Sequence, residues 1–399
     1  METTLFRLNP WWAGKYRIDA VARPKYVDAL MASMRDDRVT FLVGLRRVGK
    51  TTLLKCAIEK LQETIDPTRI LFVPLDHPVF LSSSLGEIVE AFRILQGIPF
   101  EEKVYLFFDE VQARENFEVE LKAIADSERV KVFCSGSQSL LLKDKKARLT
   151  GRTQTIVVYP LSFAEFLLFR KASFSQANSH LYAKYFEEYL ELGGIPRYVL
   201  EGDPQYVIEL VDAIITKDIV SFHGLKNANV VKELFLLLCE RAGKRVSFNK
   251  LANVLSLPVE SVRQYVSFME EAFLIHTVYR KTRTLNERIK SNRKVYIADV
   301  GIRNVMTGFK DKGAVFENLA FLRLQDSKPA YYYENGAEID FVFADTAVEC
   351  KYKEKIGEEE LEALKSSRFT NKVVARNYAF FLDEEKGRAG MTARRRQNQ

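Results

Sequence analysis

The chain has 399 residues, 47% of them hydrophobic, and carries a formal net charge of +7. That length exceeds what one hydrophobic core supports and predicts roughly two to four domains. No run of about 18 apolar residues occurs, which excludes a membrane-spanning helix. The four cysteines, Cys56, Cys134, Cys239 and Cys350, lie far apart in largely apolar stretches, which excludes a disulfide framework or a zinc cluster. The histidines at 77, 180, 223 and 276 form no metal pattern either. The first residues lack the charged-then-apolar layout of a signal peptide, so the sequence predicts a cytoplasmic protein with no membrane attachment.

In chain order, the first strong element is the apolar run Val39–Val43, a strand signal, followed by Gly44-Leu45-Arg46-Arg47-Val48-Gly49-Lys50-Thr51. This octet fits G-x-x-x-x-G-K-[ST] at every fixed position, and Thr52–Ile58 behind it reads as a helix start. Strand, glycine loop and helix N-terminus make a phosphate cradle. Backbone N–H groups from Gly44 and from Arg47 through Val48, Gly49, Lys50, Thr51 and Thr52 would face the phosphates of ATP. Lys50 would reach the β- and γ-phosphates and the Thr51 hydroxyl would ligate Mg2+.

Further strand runs fall at 70–75, 103–108, 130–134 and 154–158, with helical patterns between them, which predicts a parallel sheet flanked by helices. The run at 103–108 ends in Asp109-Glu110. Asp109 at the strand tip would hold the metal's water shell, and Glu110 would polarise the attacking water as general base. Val130–Cys134 ends in Ser135-Gly136-Ser137-Gln138, a pattern that resembles the strand of AAA+ and related ATPases lying between the two Walker strands. In that strand a polar tip residue touches the attacking water or the γ-phosphate; Ser135 and Ser137 both qualify. Arg152 offers a positive charge for the transition state, in cis or from a neighbouring subunit, or it is a surface arginine in a turn.

Beyond Pro160 the pattern becomes helical. Ser162 is placed to cap the helix starting at Phe163, and residues to about 220 read as a helical lid broken at Gly193-Gly194-Ile195-Pro196. Three helical patterns then run from 231 to 272, followed by the strand-like stretch Phe273–Tyr279. Three short helices and a β-ribbon resemble a winged helix-turn-helix, whose third helix would expose Ser261, Arg263, Gln264 and Ser267 towards base edges or phosphates. The same module serves equally well to pack domains or bind protein. Residues 280–294 are rich in Arg and Lys, which together with the net charge makes DNA the leading partner.

The last third carries a second signature. Asp340 lies nine residues before Glu349 (349 − 340), a spacing suited to adjacent antiparallel strands, and Glu349 and Lys351 share a strand face. Two carboxylates and a lysine are the set that holds magnesium and activates water against a phosphodiester, and Glu317 on an upstream helix would add a third carboxylate. Taken alone, this spacing is a weak signal.

The whole order resembles a widespread prokaryotic family of AAA+-like P-loop ATPases that join a winged helix to a C-terminal PD-(D/E)xK nuclease-like domain of unknown function. The likeness rests on Arg23-Pro24, Gly44–Thr51, Leu106–Glu110, Gly136-Ser137, Gly151-Arg152, Pro160–Phe166, Gly193–Pro196, Phe316-Glu317-Asn318, Glu338–Phe341 and Glu349-Cys350-Lys351. It implies a P-loop core over 1–162, a helical lid over 163–225, a winged helix-turn-helix over 226–285, a small α/β nuclease-like domain over 292–385 and a basic tail over 386–399. Its expected site residues are Lys50, Glu110, Ser137, Arg152, Asp340, Glu349 and Lys351 for catalysis, with Thr51, Asp109, Glu317, Asp340 and Glu349 for metal. Three readings follow: an ATP-driven machine that remodels or cleaves DNA, an ATP-dependent switch whose outer modules bind protein or DNA, and an ATPase whose C-terminal fold is a non-catalytic platform. Rings suit this ATPase class, while monomers and dimers occur in related switch proteins, so a homo-oligomer is one option.

Overall fold

The computed structural model describes residues 1–136, 151–172, 179–334, 336–353 and 355–382. They form two compact units, Met1–Tyr159 and Pro160–Gln399.

The first unit is built on five parallel strands: β1 (Val39–Val43), β2 (Ile70–Pro74), β3 (Val104–Asp109), β4 (Val130–Gly136) and β5 (Thr153–Val157). Their order across the sheet is β2-β3-β4-β1-β5, so β4 lies between the strands that end in the glycine loop and in Asp109, as the sequence pattern implied. Residues of β1 and β4 are buried on both faces, the condition that selects continuous apolar runs over alternating ones. Helices Lys50–Leu61, Leu85–Gln96 and Phe117–Ser127 connect the strands. The second of these starts at a capping box, with Ser84 and Glu87 each bonding the other's backbone N–H, and ends at left-handed Gly97.

β2 is an edge strand, and the chain's own amino-terminal segment covers it. The Asn9 side chain pairs with Phe72 in both directions, its amide donating to the Phe72 carbonyl (3.0 Å) and its oxygen accepting from the Phe72 N–H (2.6 Å). The indole N–H groups of Trp11 and Trp12 both donate to the Ile70 carbonyl at 2.9 Å. Unpaired edge groups are thus met by side chains in place of another strand.

The second unit opens with helix Phe163–Phe169, capped by Ser162 with Glu165 completing a capping box. Helices Ser179–Leu192, Pro196–Glu201 and Pro204–Ala213 follow, the last continuing into a π-helical turn over Ile214–Ser221. Helix Ala228–Glu240, strand β6 (Arg245–Val246), helices Phe248–Leu255 and Val259–Glu271, and strands β7 (Ile275–Val278) and β8 (Arg293–Ile297) come next. The three strands make an antiparallel sheet with β8 in the middle, order β6-β8-β7, and the β7–β8 connection carries a short helix, Leu285–Lys290. After helices Val300–Thr307 and Lys312–Leu324, strands β9 (Ala330–Glu334), β10 (Ala337–Phe343), β11 (Thr346–Cys350) and β12 (Asn371–Ala375) form a sheet of order β12-β11-β10-β9.

These later elements fold as one unit because buried polar junctions tie them together. Asp299 caps helix Val300–Thr307 through the Ile302 N–H (3.1 Å) and also accepts from the Gly194 N–H (2.6 Å), 105 residues away. A Cβ at Gly193 would run into that carboxylate, and one at Gly194 into the Leu161 backbone, which together explain the glycine pair there. The Asn304 amide donates to the carbonyls of Leu190 and Glu191 at 2.8 and 2.9 Å. The Phe186 ring meets Phe316, Tyr352 and Phe381.

Candidate functional site

The first site grows from the end of β1. Gly44 has φ +154°, and a Cβ there would overlap the Val158 carbonyl; Gly49 turns the chain at φ +97° into helix Lys50–Leu61. Arg47 also takes a left-handed φ, +63°. The Lys50 side chain is buried and folds back over the loop, its ammonium donating to the Gly44 and Leu45 carbonyls at 3.0 Å each. The Thr51 hydroxyl donates to Asp109 Oδ2 (2.7 Å), which joins the loop to the tip of β3. Ser135, fully buried at the end of β4, donates its hydroxyl proton to Asp109 Oδ1 and accepts from the Glu110 N–H (3.2 Å).

Glu110 sits just past β3 in a left-handed conformation, φ +54°. Burial raises its pKa; Lys50 and Arg46 oppose the shift, Asp109 adds to it, and the Gln112 amide donates to the carboxylate. A paired hydroxyl and carboxylate are hard oxygen donors of the kind magnesium takes, so Thr51 and Asp109 fit that ion. Val48, in mid-loop, is fully buried, and Thr52 lies one residue further along the helix.

Arg23 belongs to this site and had no motif to reveal it beyond the dipeptide Arg23-Pro24. It is buried, with its guanidinium over the Tyr26 ring at 4.5 Å. One arm donates to the Val48 carbonyl inside the glycine loop (3.0 Å) and the other to the Tyr159 carbonyl (2.9 Å).

Of the other expected residues, one falls elsewhere and one is not described. Ser137 lies outside the described residues. Arg152 immediately precedes β5, and its carbonyl accepts from the Val39 N–H at the start of β1, whereas the glycine loop follows the end of β1. The length of that strand, about 13 Å at roughly 3.3 Å per residue, separates Arg152 from the phosphate cradle. Its side chain is half-exposed and pairs with Asp126. A role in cis for Arg152 is therefore corrected by strand direction: it stands at the wrong end of the sheet.

A second cluster gathers in the other unit. The register Phe341↔Val348 sets Asp340 opposite Glu349, as the spacing predicted, and Glu317 reaches the same place from helix Lys312–Leu324. At the centre lies a residue that sequence reasoning missed. Lys294, on β8, has a side chain only 1% exposed, and its ammonium lies 2.9 Å from Glu317 Oε1, 2.8 Å from Glu338 Oε1 and 3.0 Å from Asp340 Oδ1.

Further donors reach the cluster, while Glu349 Oε2 is buried with no hydrogen-bond partner among the described residues. Tyr296 donates to Glu317 Oε1 (2.7 Å), the Cys350 N–H to Asp340 Oδ2 (2.9 Å), Lys351 to Glu349 Oε1 (2.7 Å), and Arg245 faces Glu338 Oε2 (3.2 Å). Burial, then the charge of Asp340, pushes Glu317 up to about 7, against the pull of Lys294. Burial and Asp340 push Glu349 up to about 7 too, with Lys351 opposing. Burial pulls the Lys294 ammonium down, and Glu317, Asp340 and Glu338 together outweigh it and hold it well above the ordinary lysine range. Among the described residues no group of three or more His, Cys, Asp or Glu side chains is arranged to hold a metal ion. Of the expected metal set, Glu317 and Asp340 meet at the Lys294 ammonium and Glu349 pairs with Lys351, so the set does not fit a divalent cation in this conformation.

The third candidate surface lies on the three-helix module. Helix Val259–Glu271 exposes Arg263, Gln264 and Ser267, with Ser261 half-buried. Guanidinium groups stack on neighbouring rings: Arg263 and Arg293 over Phe248 (5.5 and 5.3 Å), Arg293 and Arg288 over Tyr279 (4.4 and 4.6 Å). Leu285 and Ile289, one turn apart on the β7–β8 connection, are 68% and 52% exposed. No helix among the described residues is long and apolar enough to cross a membrane.

Residues 36–167 match the AAA domain family (AAA_14), and residues 183–313 match a family described as a domain of unknown function (DUF8612). The chain is similar to an uncharacterized protein of Haemophilus influenzae, 29% identical over 342 residues, covering 81% of this chain and 83% of that one. It is also similar to an uncharacterized protein of Methanocaldococcus jannaschii, 28% identical over 330 residues, covering 77% and 72%. Among solved structures, the Walker-type ATPase PABY2304 of Pyrococcus abyssi aligns with TM-score 0.46 and 16% identity over 73% of this chain and 97% of its own. The Aeropyrum pernix Orc1 protein, solved in complex with DNA, aligns with TM-score 0.33 and 13% identity over 74% and 95%. The first unit thus combines a match to the AAA domain family over 36–167 with a five-stranded parallel sheet and a glycine loop of the P-loop kind.

Proposed function

We propose that this protein binds ATP at the Lys50 loop, hydrolyses it with magnesium, and uses the reaction to remodel or process DNA held by its three-helix module. The observation that carries the reading is the hydrogen-bonded chain Thr51–Asp109–Ser135–Glu110 with the Lys50 ammonium beside it. Lys50 would exchange its two loop carbonyls for phosphate oxygens, and the N–H groups of Gly49, Lys50 and Thr51 at the helix start would bind the same anion. Magnesium, when held by Thr51 and Asp109, neutralises phosphate charge. Glu110 accepts the proton of the attacking water, a role suited to a carboxylate whose proton affinity burial has increased. Ser135, bonded to Asp109 Oδ1 and to the Glu110 N–H, would position both acids.

The order helix, β6, two helices, β7, β8 suits a winged helix-turn-helix, in which Val259–Glu271 would be the recognition helix and residues 279–292 the wing. Exposed Arg263 and Gln264, the arginine-stacked rings and the +7 net charge all suit phosphate and base contact. A second reading, an ATP-dependent switch that docks protein, is favoured by the exposed pair Leu285 and Ile289 on the wing. Nuclease action is left out of the proposal, because Lys294 occupies the carboxylate pocket.

The test combines ATP turnover with DNA binding over a salt series. The proposal expects turnover, and an affinity for DNA that falls steeply as salt rises and weakens in Arg263→Ala. Absence of any affinity for ATP overturns the ATPase reading. Salt-independent or absent DNA binding with intact turnover selects the switch.

A further inference from the structure

We propose that Lys294 is the resident cation of the carboxyl-terminal carboxylate pocket: its ammonium takes the position a divalent ion would occupy and keeps that ion out. An ammonium carries three donors, and three carboxylates, those of Glu317, Glu338 and Asp340, accept them at 2.8–3.0 Å, so the head is saturated. Magnesium demands oxygens at about 2.0–2.1 Å in octahedral array, so the same shell would have to contract by close to an ångström after the lysine had left.

The lysine has no route out. Lys294 lies on the central strand of its sheet, paired with Arg245 on one side and Val278 on the other, and its side chain is sealed from water. Both oxygens of Asp340 are taken, by Lys294 and the Cys350 N–H, and one oxygen each of Glu317 and Glu349 is held by Tyr296 and Lys351. The cations Lys294, Lys351 and Arg245 thus face the four acids Glu317, Glu338, Asp340 and Glu349 from β6, β8 and the end of β11. The pocket is a built ion-pair cluster that joins β8 to the last sheet, in place of a metallonuclease centre.

The test titrates Mn2+ into nucleotide-free protein by electron paramagnetic resonance, comparing wild type with Asp340→Asn. In parallel, native lysine acetylation is mapped by mass spectrometry with and without Mn2+. The expected result is identical Mn2+ uptake by the two proteins and a Lys294 that stays unmodified throughout. One additional Mn2+ in wild type that Asp340→Asn loses, or a Lys294 that becomes reactive when Mn2+ is added, overturns the proposal. Lys294→Met, provided it folds, should gain a Mn2+ site that vanishes in the double variant with Asp340→Asn. A folded Lys294→Met that takes up no Mn2+ refutes the claim that the lysine excludes the ion. Failure of that variant to fold leaves the wild-type comparison to decide.

Discussion

Replacing Arg23 by methionine isolates the link between a buried cation and the phosphate loop. Methionine keeps an apolar stem against Tyr26 and removes the donors to the Val48 and Tyr159 carbonyls. A hydrogen bond from a charged donor contributes about 1.5–3 kcal/mol, so losing two should cost about 3 kcal/mol or more of stability. Val48 stands two residues before Lys50, so loop displacement must also appear in nucleotide binding. If half of the loss falls there, ATP binds about tenfold more weakly, equivalent to about 1.4 kcal/mol. Urea unfolding gives the first quantity and calorimetric titration of ATP the second, with Arg23→Lys expected between wild type and Arg23→Met. A stability loss of the expected size with unchanged ATP affinity would refute the idea that Arg23 shapes the loop for its ligand.

Lys50→Ala should abolish ATP binding or turnover while the circular dichroism spectrum stays as in wild type. Glu110→Gln should bind ATP and hydrolyse it at least about 10²-fold more slowly, read by phosphate release, as expected for loss of a general base. Gly44→Ala should lower the melting temperature and nucleotide affinity together, because its Cβ has no space beside Val158 and φ +154° disfavours any side chain. Burial raises the Asp299 carboxyl to about 6, against N–H donors from Gly194, Ile302 and Gly301. The folded state then holds a proton that the unfolded chain has released. This contribution to stability is fully present below the ordinary aspartate value and is lost as pH rises through about 6, a change of about 3 kcal/mol. Because His276, depressed to about 4 by burial, pulls the other way, the comparison is the pH slope of wild type minus that of Asp299→Asn by urea unfolding. A slope difference of zero or of opposite sign contradicts the assignment.

The parts that were legible in the sequence are those whose chemistry is local. The glycine loop, Lys50 and Thr51 lie in one octet, and Asp109-Glu110 ends one strand, so spacing alone located them. Even the Asp340–Glu349 juxtaposition follows from strand geometry, since residues nine apart across a tight turn come to face each other. What stayed hidden depends on contacts through space. Arg23 meets partners 25 and 136 residues away. Lys294 sits in a run so rich in lysine and arginine that nothing in the sequence marks it as the buried member. Glu338 shares a strand face with Asp340 and was legible by that rule, had the lysine been known. Arg152 shows the reverse failure: its Gly-Arg context fits a catalytic arginine, and only the direction of β5 places it far from the cradle.

The Asn9–Trp12 strap has a practical corollary for handling the molecule. A version starting at residue 14 would present the backbone of Ile70 and Phe72 to solvent as an open ladder rung. Bare rungs recruit strands from other copies, so such a protein should scatter light and precipitate on concentration, and a shortfall in its turnover would then reflect self-association and not damage to the nucleotide pocket.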